Sequence, residues 1–156
     1  MREQPSTPNL IDDAQQLIQA AKNGHLQDII AIQNRHTRDD FSKIITMQSS
    51  LDGPAMMVAS ANGNTEIVAL LLDALQDANA DTPAAINHED RCSNTALMLA
   101  SGNGYTAIAS LLLNALRDAH DDIPAAINHE NSYGNTALMW ASENGHIKIV
   151  TLLLQS

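Results

Sequence analysis

A seven-residue string occurs twice almost unchanged. Thr95-Ala-Leu-Met-Leu-Ala-Ser101 returns as Thr136-Ala-Leu-Met-Trp-Ala-Ser142, a step of 41 residues. One more step back from Ala96 lands on Ala55, inside Pro54-Ala-Met-Met-Val-Ala-Ser60. Aligned without a gap, 54–94 and 95–135 agree at 24 of 41 positions. A fixed period in this range marks structural repeats, none of which buries its apolar face alone, so neighbours must stack to make a core. Such arrays present extended surfaces and seldom build catalytic pockets.

The repeated positions fall into three parts. A short apolar helix begins after Thr95, a natural N-cap, and ends at Asn-Gly in every copy (62–63, 103–104 and 144–145), where glycine supplies a left-handed turn. A longer helix follows. Ile108, Leu111, Leu112, Ala115, Leu116 and Ala119 make one apolar stripe of three to four turns, and Ile67, Leu70, Leu71, Ala74, Leu75 and Ala78 repeat it. Thr65 and Thr106 stand where its N-cap is expected. The third part carries Pro-Ala-Ala-Ile-Asn-His-Glu at 83–89 and 124–130. Pro83 and Pro124 stop the preceding helix or start one new turn, and Ile86 and Ile127 anchor this connection to the core. Polar, turn-rich loops at 90–94 and 131–135 close each unit.

Composition agrees with helices. Phe41 and Trp140 are each the single residue of their kind, so Ala, Leu, Ile and Met must fill the core. A formal net charge of −10 argues against binding nucleic acid or an anionic membrane, both of which need clustered Lys and Arg. It suits a protein partner with a basic surface, or no electrostatic partner at all. The single cysteine, Cys92, forms no internal disulfide, and the N-terminus lacks an apolar leader, so a cytoplasmic location is expected. No apolar run approaches the ~18 residues needed to span a bilayer.

At this point the unit resembles the ankyrin repeat. Gly134-Asn-Thr-Ala-Leu-Met-Trp-Ala-Ser-Glu-Asn-Gly-His-Ile-Lys-Ile-Val-Thr-Leu-Leu-Leu154 follows that family's Gly-X-Thr-Pro-Leu-His-X-Ala-Ala, Asn/Asp-Gly-His and Ile-Val-X-Leu-Leu-Leu pattern. The likeness runs over about residues 10–156. It implies an all-α, ankyrin-like solenoid of four stacked helix-turn-helix pairs with projecting loops. Two departures stand out. Ala replaces the family's Pro, and Met57, Met98 and Met139 replace its His, which predicts a more apolar stack with fewer polar ties. The unit also exceeds the usual length by eight residues, 75–82 and 116–123. Their first turn is expected to extend the second helix, and their acidic remainder to lengthen the loop.

The expected organisation is a flexible 1–8 followed by one domain, 9–156. Within it lie an N-terminal capping repeat (9–52), full repeats at 53–93 and 94–134, and a C-terminal partial repeat (135–156). Gln-diluted apolar positions at 14–23 give the first unit the polar face of a terminal repeat. The last unit stops after Leu152-Leu-Leu-Gln-Ser156, so either the natural protein continues or an apolar flank is left partly open to weak self-association or to a partner.

Neither a nucleophile motif nor a glycine-rich phosphate loop occurs, so no catalytic residue and no cofactor are expected. His88-Glu89 and His129-Glu130 offer one ligand pair per repeat, a ladder rather than the three or four ligands zinc gathers around one point, so no metal is expected. Asp73, Asp77, Asp81, Asp118, Asp121 and Asp122 read as a solvated face or as an acidic ridge. Trp140 aligns with Leu99 and Val58 and is expected to pack in or near the core.

The resemblance implies a non-catalytic protein-interaction module that uses the concave side, built from loop tips and first helices. Carried over position by position, that surface comprises Glu89, Arg91, Cys92 and Asn94, then Glu130, Ser132, Tyr133 and Asn135. The ends of the first helices add Asn103, Glu143 and Asn144. A purely structural or assembly module is the alternative, either the N-terminal part of a longer chain or a unit that self-associates through its C-terminal flank. Such arrays are also found in bacteria that deliver proteins into host cells.

Overall fold

A side-chain cap starts the first helix of every unit but the second, where Pro54 stands at the cap position. In the computed structural model, which describes residues 9–49 and 52–156, the first helices of the later units are α4 (Ala55–Ala61), α7 (Ala96–Asn103) and α10 (Ala137–Glu143). Their counterpart in the first unit is α1 (Leu10–Asn23). The hydroxyls of Thr95 and Thr136 accept from the backbone N–H of Met98 (3.4 Å) and Met139 (3.3 Å), satisfying a donor that a helix start leaves orphaned. Each helix is followed within two residues by a glycine at positive φ, between +74° and +82° at Gly24, Gly63, Gly104 and Gly145. The proposed flexible segment 1–8 lies outside the described residues.

The second helices are α2 (Leu26–Arg35), α5 (Thr65–Asp77), α8 (Thr106–Asp118) and α11 (Ile147–Leu154). Thr65 and Thr106 are not their N-caps. The cap positions are Asn64 and Tyr105, and neither makes a side-chain capping bond. Each helix already includes its threonine, and the residue at the cap position contacts the neighbouring unit. Asn64 Nδ2 donates to the Ala21 carbonyl (2.6 Å), the Tyr105 ring lies over Gly63, and His146 Nε2 meets the Gly102 carbonyl at 3.1 Å.

The apolar stripe is also wider than its spacing indicated. Val68, Leu72, Ala109 and Leu113 are buried with Ile67, Leu71, Ile108 and Leu112, whereas Leu70 and Leu111 are half-buried and Ala119 is exposed. A middle helix in a stack is covered on both flanks as well as on its inner face, so its buried arc is broad.

Of the two readings of the connection, the new turn is the one formed, and each of the first three units carries a third helix there: α3 (Arg38–Thr46), α6 (Thr82–Ile86) and α9 (Ile123–Asn128). The correction is that the extra acidic residues join this helix rather than lengthen a loop. The acidic remainder of the extra eight residues starts it. Asp81 accepts from Ala84 N (2.9 Å) and Asp122 from Ala125 N (3.0 Å), with Pro83 and Pro124 in the first turn. Ile86 and Ile127 are buried and anchor it, as Phe41, Ile44 and Ile45 anchor α3. Chain reversal before α6 and α9 uses left-handed residues, Asn79 (φ 50°) and His120 (φ 58°). The expectation for α5 and α8 stands, since both run to Asp77 and Asp118, inside the extension.

First helices stack on first helices (α1, α4, α7, α10) and second on second, with the third helices packed against both layers. The core runs between the two main layers. Met57 and Met98 lie within it, 2% and 0% exposed. The stack nevertheless keeps its polar ties, contrary to what those methionines suggested. They have moved to the inter-unit contacts of Asn64 and His146 and to the loops.

One buried charge cluster belongs to the first unit alone. Asp13 Oδ2 lies 2.7 Å from His36 Nε2, and Asp13 Oδ1 lies 3.0 Å from Arg35 Nη2. The His36 side chain is 1% exposed and that of Asp13 9%, so this pair ties α1 to the α2–α3 junction out of reach of bulk water.

Candidate protein-interaction face

Two acceptor side chains organise the projecting loops. Asp90 Oδ1 takes the N–H groups of Cys92 (2.8 Å) and Asn94 (2.9 Å), and its Oδ2 takes the Asn94 amide (3.0 Å). One unit later Asn131 Oδ1 accepts from Tyr133 N and Asn135 N, both at 3.0 Å. Each loop is closed by a backbone bond, Asp90 N to Asn94 O and Asn131 N to Asn135 O. These are Asx-type turns, in which a short carboxylate or amide stands in for backbone partners.

The loops are then laced to each other. Asn131 Nδ2 donates to Asn94 Oδ1 (2.8 Å), and Ser132 N to Cys92 O (2.9 Å). His129 Nε2 sits 2.9 Å from the Ser93 carbonyl, an acceptor only, so that nitrogen carries the proton. The same atom is 3.7 Å from Glu89 Oε1. The result is a continuous edge rather than two independent loops.

This lacing sorts the residues carried over from the family pattern. Asn94 spends both ends of its amide inside the ladder, and Cys92 is half-buried with its backbone engaged. Asn103 Nδ2 donates to Leu99 O (3.0 Å) and to Ala61 O of the preceding unit (3.3 Å). Asn144 Nδ2 donates to Trp140 O (2.9 Å), and Asn62 does the same to Val58 O (2.8 Å). These three asparagines close helix C-termini, which explains their recurrence without reference to a partner. Ser132 is exposed but within 3.5 Å of the Ser93 hydroxyl, and Asn135 is half-buried.

Glu89, Arg91, Glu130, Tyr133 and Glu143 remain on the surface. Tyr133, 74% exposed, is the large apolar group at the loop tips. Trp140 is half-buried, with its ring against Gly102 of α7, at the semi-core position its alignment indicated. Sequence reasoning passed over Asp90 and Asn131. Their signal was present as Asx residues four positions before Asn94 and Asn135.

Of the six ridge acids, Asp81 and Asp122 cap helices and Asp121 accepts from Asn87 Nδ2 (2.9 Å), so half of them have structural work. Asp73, Asp77 and Asp118 are exposed. His88 pairs with Gln48 (3.2 Å), and among the described residues no three His, Cys, Asp or Glu side chains converge as metal ligands would. No described helix is long and apolar enough to cross a membrane.

Comparison with curated proteins returns no match. Among solved structures, the chain is similar to one in the crystal structure of the yeast ribosomal protein Rps3 in complex with its chaperone Yar1. The two are 25% identical, with 95% of each chain covered and a TM-score of 0.72. A family model of ankyrin repeats matches residues 56–156 as three copies. That match spans well over half of the sequence and falls on the same stacked units, so the chain belongs to the ankyrin repeat family.

Proposed function

We propose that this chain is a non-catalytic interaction module that holds a protein partner on the face formed by the loop tips and first helices. The observation that carries the reading is Tyr133. An aromatic side chain 74% exposed on a loop that its neighbours hold rigid contributes nothing visible to folding, and rigid aromatics are common anchors of interfaces. The exposed Glu89, Glu130 and Glu143 of the carried-over surface favour a partner with a basic surface, in keeping with the net charge of −10. The similar structure comes from a complex of a ribosomal protein with its chaperone, which supports partner binding as the class of activity. Residues 9–156 would act as one domain, with units at 9–52, 53–93, 94–134 and 135–156, in the cytoplasm.

A photo-crosslinking residue placed at 133 is expected to trap a partner in the source cell. The same group at 76, on the exposed side of α5, should trap none. Alanine at Tyr133 and Glu130 together should weaken capture without lowering the melting temperature. Capture that ignores both substitutions would sink this assignment of the face.

A second reading, self-assembly through the C-terminal flank, has its own observation. Met139 is 50% exposed and Leu154 70%, whereas their counterparts one unit earlier, Met98 and Leu113, are both 0% exposed. Surface that one unit buries against the next is therefore uncovered on α10 and α11. Sedimentation across a range of concentrations is expected to show weak dimers that Leu154→Glu abolishes. A strict monomer at every concentration would remove this reading.

A further inference from the structure

The third helices create a feature that a shorter ankyrin unit would lack. Two open grooves lie along them, one between α3 and α6 and one between α6 and α9, and the repeat maps the first onto the second. The first, of about 390 Å³, is lined by Pro54, Asp81, Ala84, Ala85 and His88. The second, of about 230 Å³, is lined by Thr95, Asp122, Ala125, Ala126 and His129, each 41 residues on, with Glu89 and Asp121 added.

Both share an alanine floor and one capping aspartate; the first adds Ser42, Thr46 and Ala80, and the second, with Glu89 and Asp121, is the more acidic and also holds Asn87. Paired alanines keep the floor low and apolar, and longer side chains there would close the groove. At the rim, Asp81 and Asp122 each use one carboxylate oxygen on a helix N–H, and the other has no hydrogen-bond partner among the described residues. Neither groove is lined by Lys or Arg, and its histidine is held by Gln48 or by the Ser93 carbonyl. An apolar trough with an anionic rim suits a lysine or arginine, whose stem lies on apolar surface while its head pairs with a carboxylate.

We propose that the twin grooves seat an extended basic segment of a protein partner, one cationic side chain in each. This rests on the protein-partner reading but places a contact on the third-helix row instead of the loop tips. The spacing follows from the stack. Neighbouring helices lie ~8–10 Å apart. A polyproline-II strand advances ~3.1 Å per residue with three residues per turn, so residues i and i+3 lie on one side ~9 Å apart. The segment therefore carries Lys or Arg at i and i+3.

The test uses fluorescein-labelled peptides of the form Lys-Pro-Pro-Lys, with Lys-Pro-Lys and Lys-Pro-Pro-Pro-Pro-Lys as spacing controls, titrated into the full chain by anisotropy and by amide NMR. The i, i+3 peptide is expected to bind tightest and to shift the amides of Ala84 and Ala125. Asp81→Asn with Asp122→Asn should weaken it about tenfold per carboxylate, the size of one charge-assisted hydrogen bond. The melting temperature should hold, because Asn caps helices as well as Asp. Equal affinity at all spacings, or indifference to the double variant, overturns the proposal. Shifts confined to Tyr133 and Glu130 overturn it while supporting the loop-tip face. No binding overturns it and leaves that face to be judged by crosslinking at 133.

Discussion

Replacing Asp13 with alanine is expected to destabilise the N-terminal unit by about 1–3 kcal/mol, the range for leaving a buried polar group without its hydrogen-bond partner. The size comes from what is left behind. His36, its side chain 1% exposed, loses the one hydrogen-bond partner its Nε2 has among the described residues, while Arg35, 50% exposed, recovers water at little cost. Asp13→Asn keeps an acceptor at 13 and should cost clearly less. In a solenoid each unit depends on its nearest neighbours, so the damage should appear first in α1–α3. Urea melts give the total, and hydrogen exchange gives the location. A loss below about 1 kcal/mol, or exchange that rises evenly along the stack, would show that the cluster does not hold this end together.

Gly104→Ala is the second large effect, with Gly145→Ala as its internal control. Both glycines sit at positive φ, 82° and 74°, where an L side chain costs about 1–2 kcal/mol. They differ in surroundings. A Cβ at 104 would stand 2.7 Å from His146 Cε1, whereas one at 145 meets nothing within 4 Å. Making room moves the imidazole and endangers its bond to the Gly102 carbonyl, so Gly104→Ala should cost about 2–4 kcal/mol in all. Pairing it with His146→Ala should recover part of the difference. If the two alanine variants melt alike, the ring is not packed on the turn as tightly as the geometry indicates.

Stacked helix pairs were legible from the period alone, because apolar spacing, threonine caps and turn glycines each report a local requirement. The Thr95 cap and the left-handed Gly104 needed no knowledge of neighbours. Thr65 and Thr106 failed as caps because each helix already includes its threonine, one residue earlier than the apolar stripe indicates. Asp81 and Asp122 read as solvating charge because a five- or six-residue helix carries too little periodicity to announce itself. The same blindness affected the face. Asn94, Asn103 and Asn144 recur as binding residues would, yet their amides are consumed by the ladder and by helix ends. The Asp13–His36 pair had no repeat partner to draw attention to it.

The turn glycines carry a consequence for how such a chain can lengthen. Gly24, Gly63 and Gly104 each receive the residue that follows the next glycine along, and these residues are chemically unrelated: the amide of Asn64, the phenol of Tyr105 and the imidazole of His146. What they share is a flat group that needs a bare backbone to rest on. The joint is therefore generic on one side and permissive on the other. A whole unit could be copied and inserted, with a second Tyr105 resting on Gly104, and no residue would have to change to accept it. Lengthening by whole units is therefore compatible with the joint itself.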